Sequence, residues 1–127
     1  MNKLLINTIL LSLLNISVSA QNWTLLWEDN FNNNILDTSV WSHDIGSGSQ
    51  FGMWGWGNGE LQYYQPQNTS ISNGILKIEA RQETSPLIDT WNNSFNYSSS
   101  KIVTRNKFEF KYGKVQARIK TVDGEGF

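Results

Sequence analysis

Side chains that can act as nucleophiles, general bases or metal ligands are few in this chain of 127 residues, which limits its chemistry. The sequence contains no cysteine and a single histidine, His43. These counts argue against a cysteine nucleophile, a disulfide scaffold, a zinc site of cysteines or several histidines, and a Ser-His-Asp triad. Among the 11 acidic residues, Glu28 and Asp29 are adjacent. In a strand, such neighbours point to opposite faces and cannot act together.

A glycine-rich segment, residues 46–59, carries the aromatic residues that most clearly predict binding. Trp54 and Trp56 offer flat rings of the kind that stack on the apolar face of a pyranose sugar, and an exposed tryptophan is costly without such a use. The alternative is that one or both pack as core beneath the loop. Glu60 follows directly, where it could accept hydrogen bonds from sugar hydroxyls or brace the loop.

The overall composition agrees with a neutral ligand. Charged residues make up 17% of the chain and aromatic residues 13%, with six tryptophans and a net charge of −1. This balance gives no basic surface for nucleic acid or an anionic membrane. Low charge with many aromatic residues favours an all-β protein that binds sugar.

The first twenty residues have the three regions of a secretory signal peptide. Lys3 provides the positive start, residues 4–14 are mostly Leu and Ile, and Val18-Ser19-Ala20 is a small-residue cleavage site. The apolar run of about 11 residues is shorter than the ~20 needed to span a bilayer. The sequence therefore predicts a signal peptide over 1–20, a mature domain over 21–127, a secreted or periplasmic protein, and no membrane attachment after cleavage.

Apolar residues alternate with polar ones along much of the remaining chain. The pattern predicts strands at residues 23–27, 60–64, 75–81, 97–104, 107–112 and 114–120, a turn at Asn73-Gly74, and a polar loop over 84–96. Such strands, with a turn every 8–12 residues, are typical of an antiparallel β-sandwich or barrel. A turn-like Asp123-Gly124-Glu125-Gly126 precedes the last residue, Phe127. This predicts the N-terminal part of a longer protein, the alternative being a frayed tail.

Five segments in order resemble the laminarinase-type (endo-β-1,3-glucanase) members of glycoside hydrolase family 16. They are Leu25 to Asn32 with Leu36 to Trp41, Gly55 to Tyr64, Asn73 to Arg81, Tyr97 to Thr104, and Phe108 to Arg118. The resemblance implies a concanavalin-like jelly roll of two curved antiparallel sheets, here incomplete because its C-terminal strands are missing. It also implies a monomeric, secreted, retaining endo-glycosidase whose partner is a β-1,3- or mixed β-1,3/1,4-glucan.

The resemblance also implies roles for individual residues. Family members carry their catalytic carboxylates in a Glu-Ile-Asp-x-x-Glu-like run, and no such run occurs here. The sequence therefore predicts no catalytic residue in this chain. It predicts a substrate-binding set of five residues: Trp54, Trp56, Asn58, Glu60 and Lys101. Lys101 stands where many relatives have an Arg in the cleft, although a solvated strand lysine is the alternative.

No cofactor is expected beyond a structural calcium ion, which the family often holds on its convex face. Asn30, in place of a frequent Glu, and the carbonyl of Gly74 are the implied ligands. Two other functions stay open: a non-catalytic β-glucan-recognition protein of the same fold, and an unrelated lectin-like β-sandwich, which the five segments disfavour.

Overall fold

The structure, a computed structural model, describes residues 22–124. The signal peptide predicted over 1–20 lies outside these residues. Seven strands are present: β1 (Ser42–Asp44), β2 (Gln62–Tyr64), β3 (Thr69–Ser72), β4 (Ile75–Ile78), β5 (Arg81–Ile88), β6 (Ser94–Ser99) and β7 (Lys101–Val103). Three short 3-10 helices cover Ser49–Phe51, Trp54–Gly57 and Pro66–Asn68. None of the helices within 22–124 is long and apolar enough to cross a membrane.

The strands form three small sheets, which confirms the predicted all-β class. β1 pairs with β7 and β3 pairs with β4, both antiparallel, while the third sheet has the order β2-β6-β5. In that sheet β5 and β6 are antiparallel, but β2 runs parallel to β6, with Gln62 opposite Tyr97. The described part of the chain is therefore antiparallel with one parallel pair.

The Asn73-Gly74 turn forms as predicted and closes the β3–β4 hairpin. Ser72 lies opposite Ile75, so only these two residues connect the strands. Both have positive φ, 51° for Asn73 and 72° for Gly74. A two-residue hairpin loop with positive φ at both positions has the twist that antiparallel strands require, and Asn-Gly is its preferred sequence.

The polar loop predicted over 84–96 is wrong. Most of this stretch belongs to the hairpin of β5 and β6, in which Leu87 lies opposite Phe95. The sequence conceals the strand because β5 is largely exposed and so shows no apolar alternation. Its backbone is ordered by pairing with β6, and Pro86 is tolerated because β5 is an edge strand of the described sheet.

The strands predicted at 23–27, 107–112 and 114–120 do not form in the described structure. A strand needs a paired neighbour, and no segment within residues 22–124 pairs with any of the three. Val115 and Ile119, expected to face inward, are 74% and 75% exposed. Trp27 and Phe108 still contribute to packing, since the Trp27 ring lies 5.8 Å from Trp41 and 5.1 Å from Phe108.

Polar side chains occupy much of the buried volume. Among the described residues, the buried apolar side chains are Ile71 and Phe95, whereas Ser47, Asn68 and Ser98 are almost completely inaccessible. The Asn68 amide donates to Glu79 O and Ser98 Oγ, and Ser98 in turn donates to the Glu83 carboxylate. Hydrogen bonds from buried polar side chains therefore link the residue before β3 to β5 and β6 in the described part of the chain.

Candidate functional site

A closely folded loop between β1 and β2, residues 46–60, carries four of the five predicted binding residues and is called the glycine-rich loop below. Its backbone approaches itself so closely that two positions require glycine. A Cβ on Gly48 would lie 2.5 Å from Met53 O, and a Cβ on Gly55 would lie 2.7 Å from the amide nitrogen of Glu60. Both residues also have positive φ. The glycines thus shape the loop that presents the tryptophans.

Trp56 is held in place by several contacts. Its indole N–H donates to Gly46 O at 3.1 Å, and its ring centroid lies 5.7 Å from Phe51 and 6.1 Å from Tyr64. The residue is only partly exposed and has a left-handed backbone, with φ 54°. These contacts make Trp56 an organising residue of the loop, whatever further contact it makes with a ligand.

Trp54 presents the more open ring. It is 47% exposed, and one edge lies over Gly59, where a Cβ would come 3.7 Å from the Trp54 ring. Asn58 is exposed in the same loop, and its backbone N–H donates to Gly55 O at 3.1 Å. The sequence pattern treats the two tryptophans alike, whereas the structure separates an anchored ring from an open one.

Lys101 reaches the glycine-rich loop from β7. Its ammonium lies 4.1 Å from the centroid of the Trp56 ring and 5.6 Å from that of Tyr64. A cation over an aromatic face is attracted by the ring quadrupole. The residue is half-buried and in contact with the loop. One face of Trp56 is covered by this contact.

Glu60 braces the start of β2. Its Oε2 accepts a hydrogen bond from the Gln62 amide at 3.1 Å, and the same amide donates to the Tyr64 hydroxyl at 2.7 Å. Burial of the phenol, together with the nearby Glu60 carboxylate, raises the pKa of Tyr64 to about 12. Tyr64 is therefore a neutral hydroxyl at physiological pH that can act as a hydrogen-bond donor beside Trp56.

Comparisons with known proteins match the chain to glucanases and to a clotting factor subunit. No family model matches the chain. It is 40% identical over 106 residues to glucan endo-1,3-β-glucosidase A1 of Niallia circulans and 34% identical over 114 residues to a β-glucanase of Rhodothermus marinus. It is also 36% identical over 97 residues to the clotting factor G α subunit of Tachypleus tridentatus. These matches cover 80%, 87% and 76% of this chain, respectively.

Solved structures match the chain as well. The catalytic domain of an endo-1,3-β-glucanase (laminarinase) from Thermotoga petrophila matches 74% of this chain with a TM-score of 0.68 and 40% identity. An endo-β-1,3(4)-glucanase of glycoside hydrolase family 16, crystallised with a glucan oligosaccharide at its active site, matches 74% with a TM-score of 0.57 and 28% identity. The chain is related to the laminarinases of glycoside hydrolase family 16. Its jelly-roll fold class, predicted from the sequence, is confirmed.

This chain corresponds to a limited part of its relatives. It spans 16% of the Niallia enzyme, 12% of the clotting factor subunit and 35% of the Rhodothermus β-glucanase. It spans 36% of the Thermotoga catalytic domain. What the whole relatives do is therefore a matter for proposal where this chain is concerned.

Asn30 and Gly74, the residues implied as calcium ligands, are neighbours in space through their backbones. The side of Gly74 where a Cβ would stand is 3.4 Å from Asn30 O and 3.7 Å from Asn32 Oδ1. These are neutral oxygens, which calcium accepts as ligands. No group of three or more His, Asp or Glu side chains that could hold a metal ion occurs within 22–124. The residues thus fit a calcium ion only as neutral donors.

The carboxylates considered first do not form a catalytic pair in the described part of the chain. Both oxygens of Asp29 serve the local structure: one accepts from the Phe31 N–H at 2.8 Å and the other from the Trp41 indole at 2.8 Å. Glu28 is exposed, and Glu79 forms exposed ion pairs with Lys77 and Arg81.

Sequence reasoning missed several residues that organise the site. Tyr64 and Phe51 flank Trp56, and Ser47 and Asp89 join the glycine-rich loop to the turn after β5. The Asp89-Thr-Trp-Asn-Asn segment carries a usable signal, since an Asp side chain often accepts a hydrogen bond from the backbone two residues on and Asn is common in turns. The link between Ser47 and Asp89 has no sequence signal, because 42 residues separate them.

Proposed function

We propose that this chain forms part of the glucan-binding cleft of a secreted, retaining endo-β-glucanase acting on β-1,3- or mixed β-1,3/1,4-glucans. The observation that carries the proposal is the match to the Thermotoga laminarinase domain over 74% of the chain at 40% identity. The second half of the glycine-rich loop, from Gly55 onward, lies within the resembling segments, and the loop supplies the residue types that sugar recognition needs.

The loop offers both stacking and hydrogen bonding. The open ring of Trp54 can stack on the apolar face of a pyranose, while Asn58 and the Tyr64 hydroxyl can bond sugar hydroxyls. Lys101 adds a charged donor beside Trp56. Trp56 and Glu60 then support these groups, and Glu60 keeps a carboxylate oxygen for the ligand.

We propose that the 127-residue chain does not hydrolyse glucan by itself. A retaining mechanism needs two carboxyl groups ~5–5.5 Å apart on either side of the scissile bond. The sequence has no Glu-Ile-Asp-x-x-Glu-like run, and the acidic side chains of the glycine-rich loop amount to Glu60 alone. Binding without cleavage is the expected behaviour of this chain.

A second candidate is a non-catalytic β-glucan-recognition protein of the same fold. The similarity to a clotting factor subunit favours it, because that relative is not named as a glucanase. The coding sequence beyond Phe127 separates the two candidates. A Glu-Ile-Asp-x-x-Glu run there would establish the enzyme, and substituted carboxylates would establish the binder.

The test is a titration of the full chain with laminarin, in which tryptophan fluorescence reports binding. The α-glucan pullulan is the control polysaccharide. We expect saturable binding of laminarin, no response to pullulan, and reducing-sugar release equal to a blank. Trp54→Ala should weaken binding about tenfold, the factor equivalent to ~1.4 kcal/mol. Absence of laminarin binding would refute the proposed function, and reducing-sugar release lost in Glu60→Gln would refute the inactivity.

Three further properties are proposed with this function. The predicted signal peptide supports a secreted or periplasmic location, and the family resemblance supports a monomer. A weak structural calcium site at Asn30 and Gly74 is supported by the clustered neutral oxygens. The ion would stabilise the fold and take no part in the reaction.

A further inference from the structure

The glycine-rich loop has a backbone that needs an external anchor. Trp56 and six glycines of the loop have positive φ. Because glycine adopts many backbone conformations, such a segment has many competing conformations in the unfolded chain. Hydrogen bonds within the loop, such as Trp56 N–H to Ser47 O at 3.0 Å and Met53 N–H to Gly48 O at 3.0 Å, fix its shape. They do not fix its position relative to β5 and β6.

The start of the loop is tied to β2 by the antiparallel bridge between Gly46 and Tyr64. A buried hydrogen bond joins the loop to the turn between β5 and β6 as well. The hydroxyl of Ser47 donates to Asp89 Oδ2 at 2.6 Å. Ser47 has no exposed surface, and Asp89 is 9% exposed. A second link lies beside it, where the hydroxyls of Ser49 and Thr90 are 2.8 Å apart. The carboxylate therefore joins two loops that are distant in sequence.

The chemistry of this junction favours a carboxylate. Asp89 accepts hydrogen bonds from the backbone N–H groups of Trp91 (2.9 Å) and Asn93 (2.8 Å), from the Asn93 amide (3.1 Å), and from Ser47. As arranged here, all four partners donate. An asparagine would keep the shape but would offer one acceptor oxygen fewer, so the Ser47 hydroxyl or the Asn93 amide would have to reorient to pair with its NH₂ group.

The connection continues from Asp89 to the ligand-binding residues. Ser47, held by Asp89 through its hydroxyl, accepts the backbone N–H of Trp56 with its own carbonyl oxygen at 3.0 Å. The neighbouring Gly46 O accepts the Trp56 indole N–H at 3.1 Å. Movement of Ser47 therefore shifts Trp56 and, with it, the part of the loop that bears Trp54.

We propose that Asp89 is a positioning residue that acts through Ser47 to hold the glycine-rich loop in its glucan-binding conformation. This inference rests on the proposed function, since it takes Trp54 and Trp56 as part of the binding surface. Asp89 itself does not contact the sugar. Its carboxylate orders the turn with three of its hydrogen bonds and the loop with the fourth.

The test compares variants of the full chain that break different bonds of the same carboxylate. Ser47→Ala removes the bond to the loop, whereas Asn93→Ala removes a bond within the turn and serves as matched control. Asp89→Asn disturbs both. The chains are labelled with fluorotryptophan, and the ¹⁹F resonances of Trp54 and Trp56 are assigned by Trp→Phe substitutions. Laminarin affinity is measured in parallel.

We expect Ser47→Ala to shift or broaden the Trp54 and Trp56 resonances, to leave those of Trp27 and Trp41 in place, and to raise the laminarin Kd roughly three- to tenfold. Asn93→Ala should leave both resonances and the Kd within about twofold of the parent. Asp89→Asn should resemble Ser47→Ala in the resonances that move.

Two results would overturn the inference: unchanged Trp54 and Trp56 resonances in Ser47→Ala, or equal effects of Ser47→Ala and Asn93→Ala. The second result would mean that Asp89 stabilises the turn in general and does not position the loop through Ser47. If the parent chain does not bind laminarin, the proposed function fails by itself. The resonances still decide whether Asp89 and Ser47 position the loop.

Discussion

Replacing Trp56 by alanine tests the separation of an anchored and an open tryptophan in the glycine-rich loop. The substitution removes the indole hydrogen bond to Gly46 O, worth about 1 kcal/mol. It removes the contact with the Lys101 ammonium at 4.1 Å, worth about 1 kcal/mol at a half-buried site. The ring contacts with Phe51 and Tyr64 add about 0.5–1.5 kcal/mol each. The free energy of unfolding should therefore fall by about 3–5 kcal/mol, which is also the usual cost of a large aromatic truncation.

Trp54→Ala is the matched control, because it removes an indole from the same loop. That ring is 47% exposed and lies against Gly59, so its loss should cost less than about 1 kcal/mol. Laminarin binding should nevertheless weaken in this variant, since the open ring is the proposed stacking surface. Trp56→Ala should therefore lower stability more than Trp54→Ala does, whereas Trp54→Ala should weaken laminarin binding at little cost in stability.

The assay is urea unfolding of the full chain and both variants, monitored by far-ultraviolet circular dichroism. Midpoints are compared at a common slope, because a change of slope would signal a different denatured state. A cost below about 1 kcal/mol for Trp56→Ala, or equal costs for the two variants, would refute the anchoring role assigned to Trp56. Lys101→Met then isolates the ammonium contact, and its effect should disappear in the Trp56→Ala background.

Three other predictions follow from the described contacts. Burial of the Asp89 carboxylate disfavours its charge, but hydrogen bonds from Ser47, Asn93 and Trp91 outweigh this and lower its pKa from 3.8 to about 2. The ionised carboxylate stabilises the fold by about 2 kcal/mol, and this contribution is complete above pH ~4 and lost as the pH falls through 2. The urea midpoint of the parent should therefore fall more steeply than that of Asp89→Asn between pH 5 and pH 2. Parallel curves of midpoint against pH would contradict this role of Asp89. Gly74→Ala should lower the free energy of unfolding by about 1 kcal/mol, because Gly74 has φ 72° and the new methyl would lie 3.4 Å from Asn30 O. Thermal or urea unfolding measures this loss. Gly52→Ala is the control: Gly52 has positive φ but open space around it, so only the conformational cost should appear. Millimolar calcium should raise the melting temperature by a few degrees, and Gly74→Ala should reduce that rise. An equal rise in melting temperature with magnesium would contradict a calcium site at these residues.

Local structure could be predicted from the sequence wherever neighbours in the chain determine it. The Asn73-Gly74 turn requires only positive φ at two successive residues, and the residue types state this directly. β4 lies within the strand predicted at 75–81 from apolar alternation, although only Leu76 on it is partly buried. The family and its fold class came from the resemblance of five short segments in order.

Pairing and loop anchoring were decided by the tertiary structure. β5 is exposed along most of its length, so it shows no apolar period and is a strand only because β6 lies beside it. Residues 114–120 have a strand's alternation, yet within 22–124 no neighbour pairs with them and they remain extended and exposed. Period and propensity describe what a segment can bury, whereas strand formation depends on a partner.

The candidate site shows the same division. The residue types of the glycine-rich loop indicate an aromatic sugar-binding segment, and glycine itself reports close backbone approach. The sequence does not indicate that Trp56 is anchored and Trp54 open, because the difference arises from Gly46, Lys101 and Tyr64. Nor does it indicate that Asp89 holds Ser47 across 42 residues. Such contacts depend on how separate strands bring their loops together in space, and a sequence pattern of period two carries no information about that distance.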